Sequence, residues 1–138
     1  MKKEQNVISN TGLTQLPVGF EFPPTILRLS RSHISKYLEA IDDSIDFLKA
    51  GLVPPLILAA CANTALSKSF TAPPGTIHVS QEFEFLKTVY IGDTVSCHGL
   101  IAQKLERGRL NLIVLEINIL DENSEKVLSG KATITVPN

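Results

Sequence analysis

The chain has 138 residues, of which 43% are hydrophobic and 20% charged, with a formal net charge of −1. That length suits one domain able to bury a core, and the composition is that of an ordinary globular protein rather than a disordered one. With its lysines and arginines dispersed, the chain shows no electrostatic footprint for nucleic acid or an anionic membrane.

The two cysteines, Cys61 and Cys97, have no metal-ligand spacing and make no disulfide framework. Neither a metal nor another cofactor is expected, and a reduced, cytoplasmic setting is the default. Met1 to Asn10 is polar and lacks the apolar run of a secretory signal. Residues 1–15 are expected to be a flexible tail, because they offer little apolar surface to offset ordering entropy. Residues 16–138 are expected to form the single domain. Pro17, Gly19, Pro23 and Pro24 punctuate an extended lead-in, and Thr25 to Ser30 reads as a first strand. Ser30 or Ser32 can cap a helix. Ile34, Tyr37, Leu38, Ile41, Ile45 and Leu48 then recur at helical spacing. Gly51 suits the left-handed residue past a helix end, and Pro54 blocks continuation.

A second helix is predicted from Pro54 or Pro55, where a missing N–H costs nothing, through Leu66. The longest apolar stretch of the chain, Leu52 to Ala62, carries two prolines and is too short to span a bilayer. This helix is apolar nearly all round and is expected to be surrounded by protein. Strands are predicted over Thr76–Phe85, Thr94–Lys104, Leu110–Leu120 and Val127–Val136. In the first of these, Ile77, Val79, Phe83 and Phe85 are expected on one face, with His78, Ser80, Glu82 and Glu84 on the other. One buried helix followed by four antiparallel strands, with the first strand completing the sheet, implies an α+β fold. It is a single hot-dog domain, a curled antiparallel sheet wrapped around a central helix. The curled sheet leaves a strand edge to be covered, so a dimer is expected.

Residues Pro74 to Val95 contain Pro74, Gly75, Gln81, Phe85, Val89, Gly92 and Asp93 at the spacing of the MaoC-like hydratase signature, Pro-Gly-x5-Gln-x3-Phe-x2-Pro-Val-x2-Gly-Asp. Thr88 stands where that family usually has proline. The ending Val127 to Pro137 resembles the family's closing Val-x2-Gly-x-Ala-x4-Pro strand. The chain therefore resembles the MaoC-like family over roughly residues 17–138.

The resemblance implies hydration of trans-2-enoyl thioesters, or dehydration of 3-hydroxyacyl thioesters, with CoA or acyl-carrier-protein thioesters as ligands. It also implies a base and acid drawn from an Asp followed five positions later by a His, just before the buried helix. Here the positions five beyond Asp42, Asp43 and Asp46 hold Phe47, Leu48 and Gly51, and no histidine occurs between His33 and His78. Family members open the buried helix with a His-Gly step whose glycine N–H holds the thioester oxygen. The matching step here is Pro54-Pro55, and proline has no N–H. The N–H groups of Leu56 and Ile57 remain as candidates for the carbonyl or phosphate.

Asn63 and Thr64 lie on a helix otherwise apolar, so they either bond to backbone or face a ligand tunnel. His78 is expected on the polar strand face, with a recruited acid/base as the alternative. His98 is read as a surface or satisfied half-buried histidine, and His33 as a solvent-facing residue at a helix start. Asp42, Asp43 and Asp46 match no ligand loop and read as a solvated face. Cys61 reads as a small core residue. Arg107 and Arg109 flank a hairpin turn, with a CoA phosphate contact as the alternative. Two readings follow: the non-catalytic subunit of a heterodimer with a dyad-bearing hot-dog protein, or a homodimer that binds acyl thioesters without turnover. A weaker third is a hydratase whose base has moved to His78.

Overall fold

The computed structural model describes residues 12–40 and 49–137. The expected tail over residues 1–11 lies outside that range. So do the helical positions Ile41, Ile45 and Leu48 and the carboxylates Asp42, Asp43 and Asp46.

The chain forms strand β1 (Thr25–Arg28), helix α1 (Arg31–Ala40), helix α2 (Pro55–Ser67) and strands β2 (Ile77–Phe85), β3 (Thr94–Arg107), β4 (Leu110–Leu120) and β5 (Lys126–Pro137). Ser30 caps α1, its Oγ accepting the His33 N–H at 3.2 Å. Ile34 and Leu38 are buried beneath α1. Gly51 takes φ +72°, the left-handed conformation expected of it. Its carbonyl accepts the Ile91 N–H at 2.8 Å, and Val53 N–H donates to Val89 O at 2.9 Å, which ties the entry of α2 to the β2–β3 loop. Pro54 is the N-cap of α2 and Pro55 its first residue. Among the described residues no helix is long and apolar enough to cross a membrane.

The five strands form one antiparallel sheet in the order β1-β3-β4-β5-β2. Ile113, Leu115, Ile117 and Ile119 of β4 alternate inward, as do Leu128, Ala132, Ile134 and Val136 of β5. They meet Ile57, Leu58, Cys61, Ala62, Ala65 and Leu66 of α2 in one core. Gly99 of β3 lets the helix close in: a Cβ there would stand 2.5 Å from Leu66 Cδ1.

Three expectations need correction. Residues 12–15 are not tail. Leu13–Gln15 form a short 3-10 turn in which Leu13 is fully buried, and Lys104 Nζ donates to Thr14 O at 2.6 Å and Leu16 O at 2.8 Å. Two leucines and a lysine reaching back from β3 supply the order that a tally of polar residues misses. The second correction concerns α2, which is not surrounded by protein. Leu56 is 76% exposed, Thr64 is exposed, and Ala60 and Asn63 are half-buried. Among the described residues, the sheet covers one face of the helix and α1 only part of the other, where Leu56 and Thr64 remain exposed.

The third correction concerns β2. Ile77 pairs with Thr135 and His78 with Ile134, but the next pair is Ser80 with Thr133, so Val79 is an extra residue in a β-bulge. Directly paired residues share a face of the sheet. Ile77 therefore lies on the outer face, opposite Phe83 and Phe85, whose partners are Gly130 and Leu128. His78 turns inward with Ile134.

Candidate functional site

The bulge at Val79 decides where the chemistry-bearing side chains gather. Beside the C-terminal half of α2, His78 faces a cavity of about 310 Å³ with Asn63, Thr64, Ser67 and Phe70, floored by Leu115, Ala132 and Ile134. Asn63 and Thr64 were expected to face either backbone or a tunnel, and both line this cavity. His78 belongs on the helix side of the sheet and not on the polar outer face. The alternation of β2 looks regular in sequence, so the inserted residue left no signal there.

The side chains in this cavity offer one imidazole, one amide and the hydroxyl of Thr64, which Tyr37 also contacts. Ser67 Oγ is already committed, donating to Thr64 O at 2.9 Å. Such a set can orient a carbonyl and supply one acid/base group. It has no carboxylate to pair with the imidazole. Among the described residues no group of three or more His, Cys, Asp or Glu side chains comes together to hold a metal ion.

Leu56 and Ile57 sit apart from this cavity and do not line it. Seven residues of helix separate Leu56 from Asn63, about 10 Å along the axis. Leu56 points outward on the first turn of α2, while Ile57 is buried. The Ile57 N–H donates to Pro54 O at 3.0 Å. The first carbonyl of the helix closes back on it, as happens in a tight first turn. The structure thus unites Asn63, Thr64 and His78 and leaves Leu56 and Ile57 elsewhere. A separate recess of about 350 Å³ near the helix start is lined by Leu52, Pro55, Leu58 and Phe85 to Val89.

Thr64 also reaches a second cavity, of about 360 Å³, on the β1 side of α2. There Tyr37 and His33 of α1 meet Cys61, with Lys68 and Ser69 among the lining residues. His33 is exposed as expected, yet its ring stacks on Tyr37 at 5.4 Å between centroids and its Nε2 lies 3.9 Å from Cys61 Sγ. The four-residue spacing of His33 and Tyr37 puts them on one helix face, a signal that reading Tyr37 as part of the apolar stripe overlooked. Burial pushes the Cys61 thiol up, and hydrogen bonding with Tyr37 opposes it. Burial likewise raises the Tyr37 phenol, and the neighbouring Cys61 adds to the shift. His98 lies on the outer face, where its Nε2 is 2.9 Å from Ser96 Oγ.

No family model matches the chain, and no curated protein matches it by sequence. Solved structures do match. The R-hydratase PhaJ1 from Pseudomonas aeruginosa superposes with a TM-score of 0.76 at 18% identity, covering 91% of this chain and 84% of that one. A MaoC-like dehydratase from Rhodospirillum rubrum gives 0.75 at 16%, covering 93% and 97%. The chain has the hot-dog fold. A third hot-dog match is the HadBC (3R-hydroxyacyl-ACP dehydratase) complex from Mycobacterium tuberculosis, with a TM-score of 0.68 at 19% identity over 89% of this chain and 99% of that one. At these identities what is shared is the fold, and the chemistry of this hot-dog domain rests on its own side chains.

Proposed function

We propose that the chain is an acyl-thioester-binding member of the MaoC-like hydratase and dehydratase family. In this reading it is the non-catalytic subunit of a pair. It shapes the acyl tunnel, while a second hot-dog protein carries the Asp/His dyad. One observation supports the reading: a hydratase-like frame meets a helix start whose oxyanion step is replaced by two prolines. Pro54 and Pro55 stand at that step, the Ile57 N–H donates to Pro54 O, and no histidine precedes α2 after His33. The half-open α2 and the unpaired edge of β2 leave apolar surface for a second hot-dog subunit. That one match is a dehydratase complex supports a paired arrangement. A homodimer that binds acyl-CoA or acyl-carrier-protein thioesters without turnover is the variant in which no catalytic partner exists. A reduced, cytoplasmic setting fits the free thiols of Cys61 and Cys97.

A second reading has one observation of its own. The bulge at Val79 turns His78 into a cavity beside Asn63 and Thr64, where a relocated base would sit. Hydration of crotonyl-CoA, followed at the enoyl-thioester absorbance, separates the two. The first reading expects no turnover from the chain alone and turnover once a dyad-bearing hot-dog partner is added. Turnover by the chain alone that is lost in His78→Ala establishes the second reading and overturns the first.

A further inference from the structure

The cavity between β1, α1 and α2 has Cys61, a core residue only 4% exposed, in its wall. Cys61 is among the residues lining about 360 Å³ of volume, and its Sγ has His33 Nε2 at 3.9 Å, within the hydrogen-bonding reach of sulfur. The Tyr37 phenol is in hydrogen-bonding contact with both Cys61 and Thr64, and its ring backs the His33 imidazole. Cys97 provides an internal contrast in cavity space and not in exposure: it is 7% exposed, but the cleft it lines has only about 10 Å³ of space.

We infer that Cys61, His33 and Tyr37 form a thiol-addition site that takes α,β-unsaturated thioesters. The inference rests on the thioester-binding reading above. It assigns the ligand's double bond to this cavity and to sulfur rather than water. The His33 imidazole accepts the thiol proton, and the sulfur lone pair forms a bond to the β-carbon. The π electrons shift to the α-carbon and thioester carbonyl, and the resulting enolate takes the proton back at the α-carbon from the His33 imidazolium. The S–H bond has then added across the double bond. Nothing leaves, nothing is oxidised, and no co-reactant is consumed. Tyr37 holds the imidazole in plane and keeps its hydroxyl beside the thiol. Because the thiol is protonated in its buried surroundings, the base is essential: the nucleophile is the thiolate, and His33 is the group placed to generate it. The Lys68 ammonium among the lining residues suits the phosphates of a CoA ligand.

The test is intact-protein and peptide mass spectrometry of the full chain after incubation with crotonyl-CoA, with butyryl-CoA as the saturated control. The expected result is addition of the whole crotonyl-CoA mass at the peptide carrying Cys61, none at Cys97, and no adduct from butyryl-CoA. Cys61→Ala abolishes the adduct, and His33→Asn slows it by on the order of a hundredfold, the usual contribution of a general base. Thermal melting of both variants checks that they fold. The rate of the unaltered protein against a free thiol of ordinary pKa provides a readout that does not depend on any variant. Transfer of the acyl group alone, equal labelling of Cys97, or an undiminished rate in folded His33→Asn overturns the inference. Calorimetric titration with butyryl-CoA separates it from the reading beneath it. Saturable binding without a crotonyl adduct overturns the thiol-addition site and leaves thioester binding standing, while absence of both overturns the two together.

Discussion

Cys97 and Gly130 show how tightly single positions are set. Cys97 lies on the inner face of β3, and its thiol is pushed up to about 12, first by burial and then by the nearby Cys61. An unfolded chain ionises this thiol near its ordinary value of 9.0, the folded chain only near 12. Below the lower value both states keep the proton and the stability is intact. Between the two values only the unfolded state gains by losing it, so stability falls as pH rises through that window. Three pKa units correspond to an upper limit of about 4 kcal/mol. Denaturant midpoints of the wild type and Cys97→Ala, measured from pH 7 to 11, should converge as pH rises. Parallel curves would refute the assignment. Gly130 faces Phe83 across the β2–β5 pair, and a Cβ there would lie 2.7 Å from Glu82 O and 2.8 Å from Phe83 Cδ1. Backbone cannot swing aside as a side chain can, so Gly130→Ala should cost about 1–3 kcal/mol by overpacking, read by urea unfolding. At this scale the sequence pointed to Asn63, Thr64 and His78 as residues of interest. It misplaced His78, because one bulged residue reverses a face without disturbing the apparent alternation.

Whole elements were easier to read than their faces. The boundaries of α2 follow from Pro54, Pro55 and an unbroken apolar run, and those of β4 and β5 from period-two burial. The coverage of α2 did not follow. An all-apolar helix must be enclosed, but the enclosing surface need not come from the same chain. The β4–β5 hairpin is fastened by Asp121, whose Oδ1 accepts the Asn123 and Glu125 N–H groups at 2.9 and 3.0 Å. Its Oδ2 takes the Lys87 ammonium at 2.7 Å, which holds the carboxyl below the usual carboxylate range. A depressed carboxylate stabilises the fold above its unfolded pKa and stops doing so as pH falls through the folded value. Protection factors of the hairpin amides, referred to intrinsic exchange at each pH, should fall below the ordinary carboxylate range and in Asp121→Asn at neutral pH, with β3 protection unchanged. Unchanged hairpin protection in Asp121→Asn would show that the turn is held by other contacts.

For the whole molecule, the β2 edge carries a run of exposed apolar groups on both of its faces. Ile77, Val79, Phe85 and Leu86 on or beside the edge strand β2 are exposed, together with Leu56 on the open side of α2. Exposed apolar groups along an unpaired edge mark a surface that pairs with another chain. The protein should be dimeric by light scattering at micromolar concentration, or become so with its partner. Val79→Lys should weaken that association about tenfold or more while leaving the melting of the dissociated chain unchanged, because Val79 is already half in solvent. A monomer under both conditions would contradict the reading of this edge. In the proposed division of labour, the chain brings a thioester tunnel and a partner brings the acid/base pair. A missing general acid or base removes about a hundred- to ten-thousandfold in rate, and a lost oxyanion donor accounts for about 3 kcal/mol more. The most direct measurement is hydration of crotonyl-CoA by the purified chain, repeated as a dyad-bearing hot-dog protein is titrated in. No turnover is expected at the start, followed by a rise that levels off at one partner per chain. Robust turnover before any partner is added would contradict that division of labour.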